Sequence, residues 1–473
     1  MNTHLHSVPT NHSCRHERGH ITDSRFYGGR YASPDSRRIF CDVCRNQRWL
    51  DIEAALALAQ ADIGMIPQDV ADRIAASARL DLIDLDAVQH EIEASGHSLV
   101  GLLRVFEKAC GPDAGQFIHY GATTQDIQDT GQSLEIRDVL DVLQPRLTVI
   151  TKLLAELAEQ HAETVALGRT HAQPALPMSF GLKVASWTDE LLRHHGRLGQ
   201  ARERVLMAQL FGGAGTMASF GDQGVALLER FAQRLELGVP ATGWHAARDR
   251  PTEFVVTLGM ITGTLARIAD ELRTLSRPEF GEVTEAWRPG KVGSSTMPHK
   301  RNPERLEQVV VMARLAHAQV GASLAAMIGD HERDARALRI EWACIPDISH
   351  YCLAACEMML ESLTGLLVHS DRLRRNTDAT ADMVMSERLM LSLGERIGKQ
   401  RAHELVYEIT QRAQQEGRLV RDVLDEHGEA FEQLTTQELD EIFDPVSYLG
   451  ASSILTTRVV AEARKMLAAG EPV

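Results

Sequence analysis

The sequence predicts an all-α protein with three helical domains, the central one being a bundle of long helices. Apolar residues alternate spacings of four and three along 254–275, which places them on one face of a helix roughly 30 Å long. No proline occurs in residues 178–239 or 304–345, so both intervals can hold long helices. Aromatic residues make up only 5% of the chain, which disfavours a sheet-based fold.

Breaks in the helical pattern divide the chain into four parts. Residues 1–30 form a leader that we expect to be disordered, and residues 31–120 form an N-terminal helical domain. The central bundle covers residues 121–369, and a C-terminal helical domain covers residues 370–473. These borders are set by Gly-Pro and Ser-Asp breaks near residues 111 and 370, and they predict three folded domains.

The bulk composition bears on the class of partner. The formal net charge is −15, which opposes attraction to the phosphates of nucleic acids. No run of eighteen apolar residues occurs, so we expect no membrane span. The first 20 residues hold five histidines but neither the apolar core of a secretory signal nor a recognisable metal-ligand spacing. A cytoplasmic protein without a metal or an organic cofactor is therefore expected.

Seven cysteines, an odd number, argue against a disulfide framework. Cys41 and Cys44 have the spacing of a redox or zinc pair. No second pair accompanies them, and they fall in the apparently continuous helical stretch 38–61. We expect them to pack as ordinary helix residues.

The segment Gly290–Pro303 carries the clearest chemical signal. It begins with glycines, continues with hydroxyl groups that include Ser294 and Ser295, and ends with Lys300 and Asn302. Glycines allow a loop to close over a ligand, and the hydroxyls, backbone amides and ammonium group can bind an anion. By composition alone, an ordinary basic surface loop is equally compatible.

Two earlier segments also suit an anionic substrate. In 119–130, Thr123 and the aspartate three positions later resemble a capping box, so Thr123, Thr124 and Gln125 are candidates to bind a carboxylate at a helix N-terminus; a plain helix cap is the alternative. In 168–174, His171 lies in a polar turn that suits a proton carrier better than a core residue.

These three segments, in this order, resemble the characteristic stretches of the fumarase/aspartase superfamily. Its members remove a proton beside a carboxylate and expel a group from the neighbouring carbon, usually leaving fumarate. The resemblance extends through 37–40, 248–250 and 399–403 and covers nearly the whole chain after about residue 30. It implies a homotetramer whose active sites are each assembled from three subunits, acting on a small dicarboxylate without a cofactor.

The resemblance also implies roles for individual residues. Ser294 would be the base, supported by Ser295, and His171 would work with Glu307, seven positions after Lys300. His97 matches a histidine that handles the leaving-group side in adenylosuccinate lyases, although its flanking residues diverge. Lys300 and Asn302 would stabilise the dianionic carboxylate that forms on proton removal. The candidate substrate-binding residues are Thr123, Thr124, Gln125, Thr170, Arg248, Lys300, Asn302 and Arg339.

The segment His331–Pro346 bears on the substrate. Leu338 and Arg339 stand where adenylosuccinate lyases generally have serines that grip a nucleotide phosphate, and Trp342 stands where they have an arginine. We therefore expect β-elimination from a small, non-nucleotide substituted succinate to release fumarate, with nitrogen as the leaving atom, as in nitrosuccinate or an N-substituted aspartate.

Three alternatives remain open. The pair Glu341-Trp342 resembles the 3-carboxy-cis,cis-muconate cycloisomerase branch, which uses the same dianionic intermediate in an internal ring closure. Adenylosuccinate lyase is the second. A non-catalytic structural homologue is the third, although the retained Ser294, His171 and Lys300 argue against it.

Overall fold

A computed structural model describes residues 19–287, 290, 292–428 and 433–470. Most of the described residues are helical, which confirms the predicted all-α class. Four of the five leader histidines, at positions 4, 6, 12 and 16, and Lys291 of the glycine-rich segment lie outside the described residues. The described end of the leader, residues 19–30, contains two short 3-10 turns, Ile21–Asp23 and Gly28–Arg30.

Most of the longest helices lie in the middle of the chain. The N-terminal helices are α1 (Pro34–Phe40), α2 (Asp42–Asp62), α3 (Gln68–Ser77), α4 (Leu85–Ser95), α5 (Ser98–Cys110) and α6 (Pro112–Gly115). The middle of the chain holds α7 (Thr124–Gln160), α8 (Phe180–Val205), α9 (Gly224–Leu235), α10 (Asp249–Leu275), α11 (Glu304–Ala326) and α12 (Ala335–Thr364). The C-terminal helices are α13 (Ser370–Val384), α14 (Ser386–Ile397), α15 (Lys399–Glu416), α16 (Val420–Asp425), α17 (Thr436–Phe443) and α18 (Ser452–Gly470).

Helix α10 confirms the apolar face predicted from the sequence. The seven residues with alternating spacing are at most 1% exposed, so the face is a buried contact along the helix. Burial of large apolar side chains stabilises the fold by roughly 1.5–3 kcal/mol for each residue. The residues are Phe254, Leu258, Ile261, Leu265, Ile268, Leu272 and Leu275.

A β-hairpin interrupts the helices where the sequence analysis expected a polar turn and no strands. Strands β1 (Val165–Thr170) and β2 (Gln173–Ser179) pair antiparallel, with an irregularity between Gly168 and Arg169. Two prolines in β2 weaken the strand signal in the sequence, because proline cannot donate to a sheet ladder. A second, very short antiparallel pair joins β3 (Val283–Thr284) to β4 (Leu367–Val368).

Contacts divide the chain into two compact units. The first unit comprises Met1–Arg146, His195–Leu265 and Gln308–Glu357, and the second comprises Leu147–His194, Ala266–Glu307 and Met358–Val473. The predicted three-domain division follows the chain order and stays a prediction. Helices do begin near its two internal borders, at Pro112 and at Ser370.

Cys41 and Cys44 correct one expectation. They do not lie within a continuous helix, because α1 ends at Phe40 and α2 begins at Asp42. Cys41 is the N-cap of α2: its Sγ accepts a hydrogen bond from the backbone N–H of Cys44 at 3.4 Å. The expected packing inside a helix is therefore wrong for the exposed Cys41, whereas the half-buried Cys44 does lie within α2.

Candidate active site

The glycine-rich segment forms a loop that leads into α11. The Ser294 hydroxyl accepts hydrogen bonds from the backbone N–H groups of Thr296 at 3.3 Å and Met297 at 3.0 Å. Asn302 Nδ2 donates to the carbonyl of Gly293 at 2.8 Å and so joins the two ends of the loop. A Cβ atom on Gly293 would lie 2.1 Å from the carbonyl oxygen of Lys300, so this close approach requires glycine.

The loop surrounds the Ser294 oxygen with hydrogen-bond donors. Two amides aimed at one oxygen favour its anionic form, because they stabilise negative charge without having to reorganise. Ser294 is half-buried, whereas Ser295 and Lys300 are exposed. This arrangement can support a serine alkoxide, which is what a serine base needs.

Glu307 lies in the first turn of α11 and is exposed. Beneath that turn lies Glu285, a buried carboxylate that the sequence analysis missed. Its Oε1 accepts hydrogen bonds from the backbone N–H of Leu306 at 3.2 Å and from the hydroxyl of Ser362 at 2.8 Å. A carboxylate at a helix N-terminus is favoured by the free amides there, so Glu285 anchors the end of the helix on which Glu307 is mounted.

His171 is presented at the tip of the β1–β2 hairpin. His171 and Ala172 form the two-residue turn, and both have left-handed backbone angles, with φ of 50° and 61°. Such angles cost non-glycine residues roughly 1–2 kcal/mol each, and retained strain of this kind is frequent at functional sites. His171 and the neighbouring Thr170 are exposed, in agreement with the predicted polar turn.

Arg169 stabilises the base of the hairpin. Its guanidinium pairs with Glu282 at 2.5 Å, and its Cζ lies 4.7 Å from the centre of the Phe280 ring. The Glu282 carboxylate also accepts a hydrogen bond from Asn376 Nδ2 at 2.8 Å. These contacts within the second unit fix the base of the turn that carries His171.

The start of α7 matches half of the predicted capping box. Asp126 Oδ2 accepts from the backbone N–H of Thr123 at 2.9 Å, as expected, but the Thr123 hydroxyl accepts from Arg333 at 2.6 Å. Thr123 and Thr124 are half-buried. Gln125 is only 4% exposed, and its Nε2 donates to the Asp129 carboxylate, so its amide is used inside the protein.

Arg248 lies in a buried ionic network rather than at an open surface. It is 2% exposed and forms paired hydrogen bonds of 2.9 Å with Asp129. Its Nε donates to Glu341 at 2.8 Å, and Gln132 donates to the same carboxylate at 2.8 Å. Burial opposes the charge of Arg248, yet Asp129 and Glu341 more than offset it and raise the pKa of Arg248. The structure thus shows internal partners for Arg248, and the substrate contact expected from the sequence stays a prediction.

His97 is the N-cap of α5. Its Nδ1 accepts a hydrogen bond from the backbone N–H of Val100 at 3.4 Å, and the ring is half-buried. This contact orients the imidazole ring through Nδ1 and leaves Nε2 on the other side of the ring.

A cavity of about 600 Å³ adjoins this part of the first unit. Ser98, which follows His97, lines it together with the indole rings of Trp49 and Trp342. Arg45 also lines it, but its guanidinium is paired with Glu135 at 2.8 Å. Arg339 is exposed, and Leu338 is buried.

His119 is a candidate that the sequence analysis passed over, although it opens one of the quoted segments. Its Nδ1 lies 2.7 Å from Glu53 Oε1, and its backbone N–H donates to the other oxygen at 3.1 Å. Burial lowers the pKa of His119, but the Glu53 carboxylate outweighs that effect and raises it overall. His119 also has a left-handed backbone angle, φ 58°, which the sequence alone does not reveal.

The candidate residues thus form two groups. The second unit carries the serine loop, Glu307 and the His171 turn, whereas the first unit carries His97, residues 123–125, Arg248 and Arg339. Within the described ranges, no three His, Cys, Asp or Glu side chains are grouped as metal ligands would be.

Comparisons with known proteins match nearly the whole chain. A family profile described as "Lyase" matches residues 29–317, and one described as "Adenylosuccinate lyase C-terminus" matches residues 382–459. A protein named N-acetyl-S-(2-succino)cysteine lyase from Dickeya dadantii is 38% identical over 433 residues, covering 92% of this chain and 95% of that protein. One of the same name from Enterococcus italicus is 35% identical over 442 residues, covering 93% and 97%.

The fold has a solved counterpart. The crystal structure of 3-carboxy-cis,cis-muconate lactonizing enzyme from Pseudomonas putida superposes with a TM-score of 0.86 at 34% sequence identity. The match covers 93% of this chain and 99% of that structure.

Proposed function

The chain belongs to the fumarase/aspartase superfamily of lyases and related cycloisomerases, and from that premise we propose that it cleaves a small S-substituted succinate to fumarate and a thiol. β-Elimination is the reaction of the family. Sulfur replaces the nitrogen expected from the sequence because two similar proteins are named for a succinylated cysteine. An N-substituted aspartate is the second candidate substrate.

The observation that carries the proposal is the pair of amides on the Ser294 hydroxyl. In the proposed reaction, the Ser294 alkoxide removes the proton from the carbon next to a substrate carboxylate. The charge moves onto that carboxylate, which becomes a dianion, and Lys300 stabilises it together with Asn302. The electron pair then forms the double bond of fumarate as the carbon–sulfur bond breaks.

The leaving thiolate requires little help from an acid. A thiol has a pKa near 8.5, so its anion leaves more readily than an amide or amine anion would. His171 or His97 would donate the proton that the departing atom takes up. The half-buried ring of His97, oriented by its cap contact, supports it in this role. The exposed turn at His171 supports a residue that must reach into a substrate site.

The cavity beside Ser98 supports a leaving group without a phosphate. Asp42 and Glu93 line it along with two indole rings, and its Arg45 is already paired. A dianionic phosphate would meet two carboxylates there and no unpaired lining cation, which would cost solvation without compensation. If this cavity takes the leaving group, adenylosuccinate is disfavoured, which agrees with Leu338, Arg339 and Trp342 in place of the serines and arginine that the resemblance would require for a nucleotide. Carboxymuconate cycloisomerisation remains an alternative, because a ring closure can start from the same dianion.

We propose a homo-oligomer, and by the family resemblance a tetramer with shared sites in the cytoplasm. Helix α11 supports this: its most apolar 18-residue window has a mean hydropathy of 1.4, but only 33% of it is buried within the chain. Val311, Leu324, Met327 and Ile328 on and just after it are exposed, Ile328 by 84%. This length and composition would also suit a membrane span, but core helices of soluble proteins share them, so they are weak evidence for one.

The test is a substrate panel. The purified protein is mixed separately with an S-(2-succinyl) thioether, an N-substituted aspartate, nitrosuccinate, adenylosuccinate and carboxymuconate. Ultraviolet absorbance follows the conjugated double bond, and a thiol reagent follows the leaving group. Release of equal amounts of fumarate and thiol is expected from the thioether. Silence across the panel from a correctly assembled oligomer would favour a non-catalytic structural protein.

Ser294→Ala tests the proposed base. Turnover should be lost while the oligomer and the melting temperature stay unchanged, because among the described residues the hydroxyl bonds to two amides of its own loop. Ser295→Ala is the matched control and should retain more activity, since Ser295 is the exposed neighbour in a supporting role. Full activity in Ser294→Ala would rule out this base.

A further inference from the structure

Cys41 and Cys44 lie together at the N-terminus of the 21-residue helix α2. The other described cysteines, at positions 110, 344, 352 and 356, are buried, whereas Cys41 is exposed and Cys44 is half-buried. The reactive pair is therefore accessible to small molecules in the described chain. It plays no part in the proposed lyase reaction.

The geometry brings the two thiols within reach of each other. Cys41 Sγ accepts a hydrogen bond from the backbone N–H of Cys44 at 3.4 Å, which holds its sulfur over the first turn of α2. Residues three apart in a helix have Cβ atoms about 5–6 Å apart, and a disulfide needs about 3.5–4.5 Å. Cys41 is an N-cap with extended backbone angles, φ −70° and ψ 151°, so it can close this difference without unwinding the helix.

Position and exposure assign different roles to the two sulfurs. Cys41 is the exposed N-cap residue, so an incoming disulfide reaches its sulfur first, whereas Cys44 is half-buried in the first turn of α2. Burial raises the pKa of Cys44, and its hydrogen bond to Cys41 raises it further, although Arg38 and Arg48 act in the opposite direction. Cys41 is thus placed to attack and Cys44 to follow.

We propose that Cys41 and Cys44 form a thiol–disulfide exchange site that reacts with low-molecular-weight disulfides. The Cys41 thiolate attacks one sulfur of the small disulfide, forming a mixed disulfide and releasing one small thiol. Cys44 then loses its proton and attacks Cys41 Sγ, which forms the Cys41–Cys44 disulfide and releases the second small thiol. Two protein thiols are oxidised, and one small disulfide is reduced to two thiols.

The site borders the cavity described above. Asp42 and Val43, the residues between the two cysteines, line that cavity with Trp49 and Trp342. The Cys41–Cys44 disulfide would therefore enclose Asp42 and Val43, which form part of the cavity wall. The exchange chemistry itself does not depend on which substrate the cavity takes.

The experiment uses full-length protein carrying Cys14→Ser, because Cys14 lies outside the described residues and could capture either sulfur. The protein is equilibrated in buffers of increasing oxidised-to-reduced glutathione ratio, alkylated and digested, and the peptides are weighed. The expected result is a peptide containing both Cys41 and Cys44 that has lost two hydrogens and resists alkylation. Cys110→Ser, which removes a buried thiol, is the matched control and should leave this result unchanged.

Two variants test the order of attack. Cys44→Ser should accumulate a single glutathione adduct on Cys41, because the second attack is lost. Cys41→Ser should form no adduct on Cys44 under the same conditions. Circular dichroism checks that both variants keep their helices. Full alkylation of Cys41 and Cys44 at the most oxidising ratio, or equal adducts in both variants, would overturn the proposal.

Discussion

Arg248 illustrates how one buried residue can link several elements. Its guanidinium is shared between Asp129 on α7 and Glu341 on α12, and all three side chains are at most 1% exposed. Removing the cation while leaving both carboxylates buried is strongly destabilising, because the buried negative charges then have neither hydration nor a cationic partner. The network therefore depends on Arg248 more than on any single acid in it.

We predict that Arg248→Met lowers the free energy of unfolding by about 3–5 kcal/mol. Urea denaturation followed by circular dichroism measures the change. The matched control is Arg234→Met, which breaks a partly exposed pair with Asp62 and should cost about 0–1 kcal/mol. Equal losses in the two variants would contradict a special role for the buried network.

The His119–Glu53 pair predicts a pH dependence of stability. Because Glu53 raises the pKa of His119 in the folded protein above its ordinary 6.5, the pair stabilises the fold fully below that pH. The stabilisation is lost as the pH rises through the raised value. Glu53→Gln should therefore lower the melting temperature more at pH near 6 than at pH near 9. Glu91→Gln, on the exposed pair with Arg104, is the control, and its effect should hardly differ between the two pH values.

At the scale of an element, the loop 293–303 depends on the close approach at Gly293. We predict that Gly293→Ala lowers kcat sharply but leaves the melting temperature of the helices nearly unchanged. The added Cβ would force Gly293 away from Lys300 and Asn302 and so disturb the amides around Ser294. Steady-state kinetics measures the effect. Gly199→Ala, where nothing lies within 4 Å, is the matched control and should be fully active.

The regular helices were easier to predict from the sequence than the breaks between them. The buried face of α10 was predictable because seven apolar residues repeat at helical spacing, and this spacing can be read from the sequence directly. The hairpin that carries His171 was not, since its strands hold Pro174, Pro177 and Gly168, which weaken strand signals. The break at Cys41 was also missed, because a single N-cap leaves the apolar pattern on either side intact.

The candidate site shows the same contrast at the scale of the whole molecule. The family resemblance predicted Ser294 as the base, and the polar turn around His171 predicted a proton carrier, because both signals lie in short stretches of adjacent residues. Partners that come from distant segments, such as Glu285 under α11 or Asp129 and Glu341 around Arg248, could not be found from spacing alone. In the proposed oligomer, the subunit that supplies each group also depends on the assembly and not on the sequence of one chain.

Mixing two inactive variants can answer that question. Ser294→Ala removes the proposed base, and His171→Asn removes a proposed proton carrier while keeping a residue that tolerates the left-handed turn. If the two residues of one site come from different subunits, random hybrids of the two variants should regain up to about a quarter of the wild-type activity, because that fraction of sites draws an intact serine and an intact histidine. If both come from the same subunit, every site keeps one defect and no activity returns.

The hybrids are made by unfolding the two variants together in urea and refolding them, with each variant refolded alone as the control. Size-exclusion chromatography with light scattering verifies the oligomer in every sample, and fumarate release from the best substrate of the panel measures activity. Recovery only in the mixed sample would establish a shared site. An active monomer, or a mixed oligomer as inactive as its parents, would contradict it, because a shared site needs subunits that exchange and complement one another.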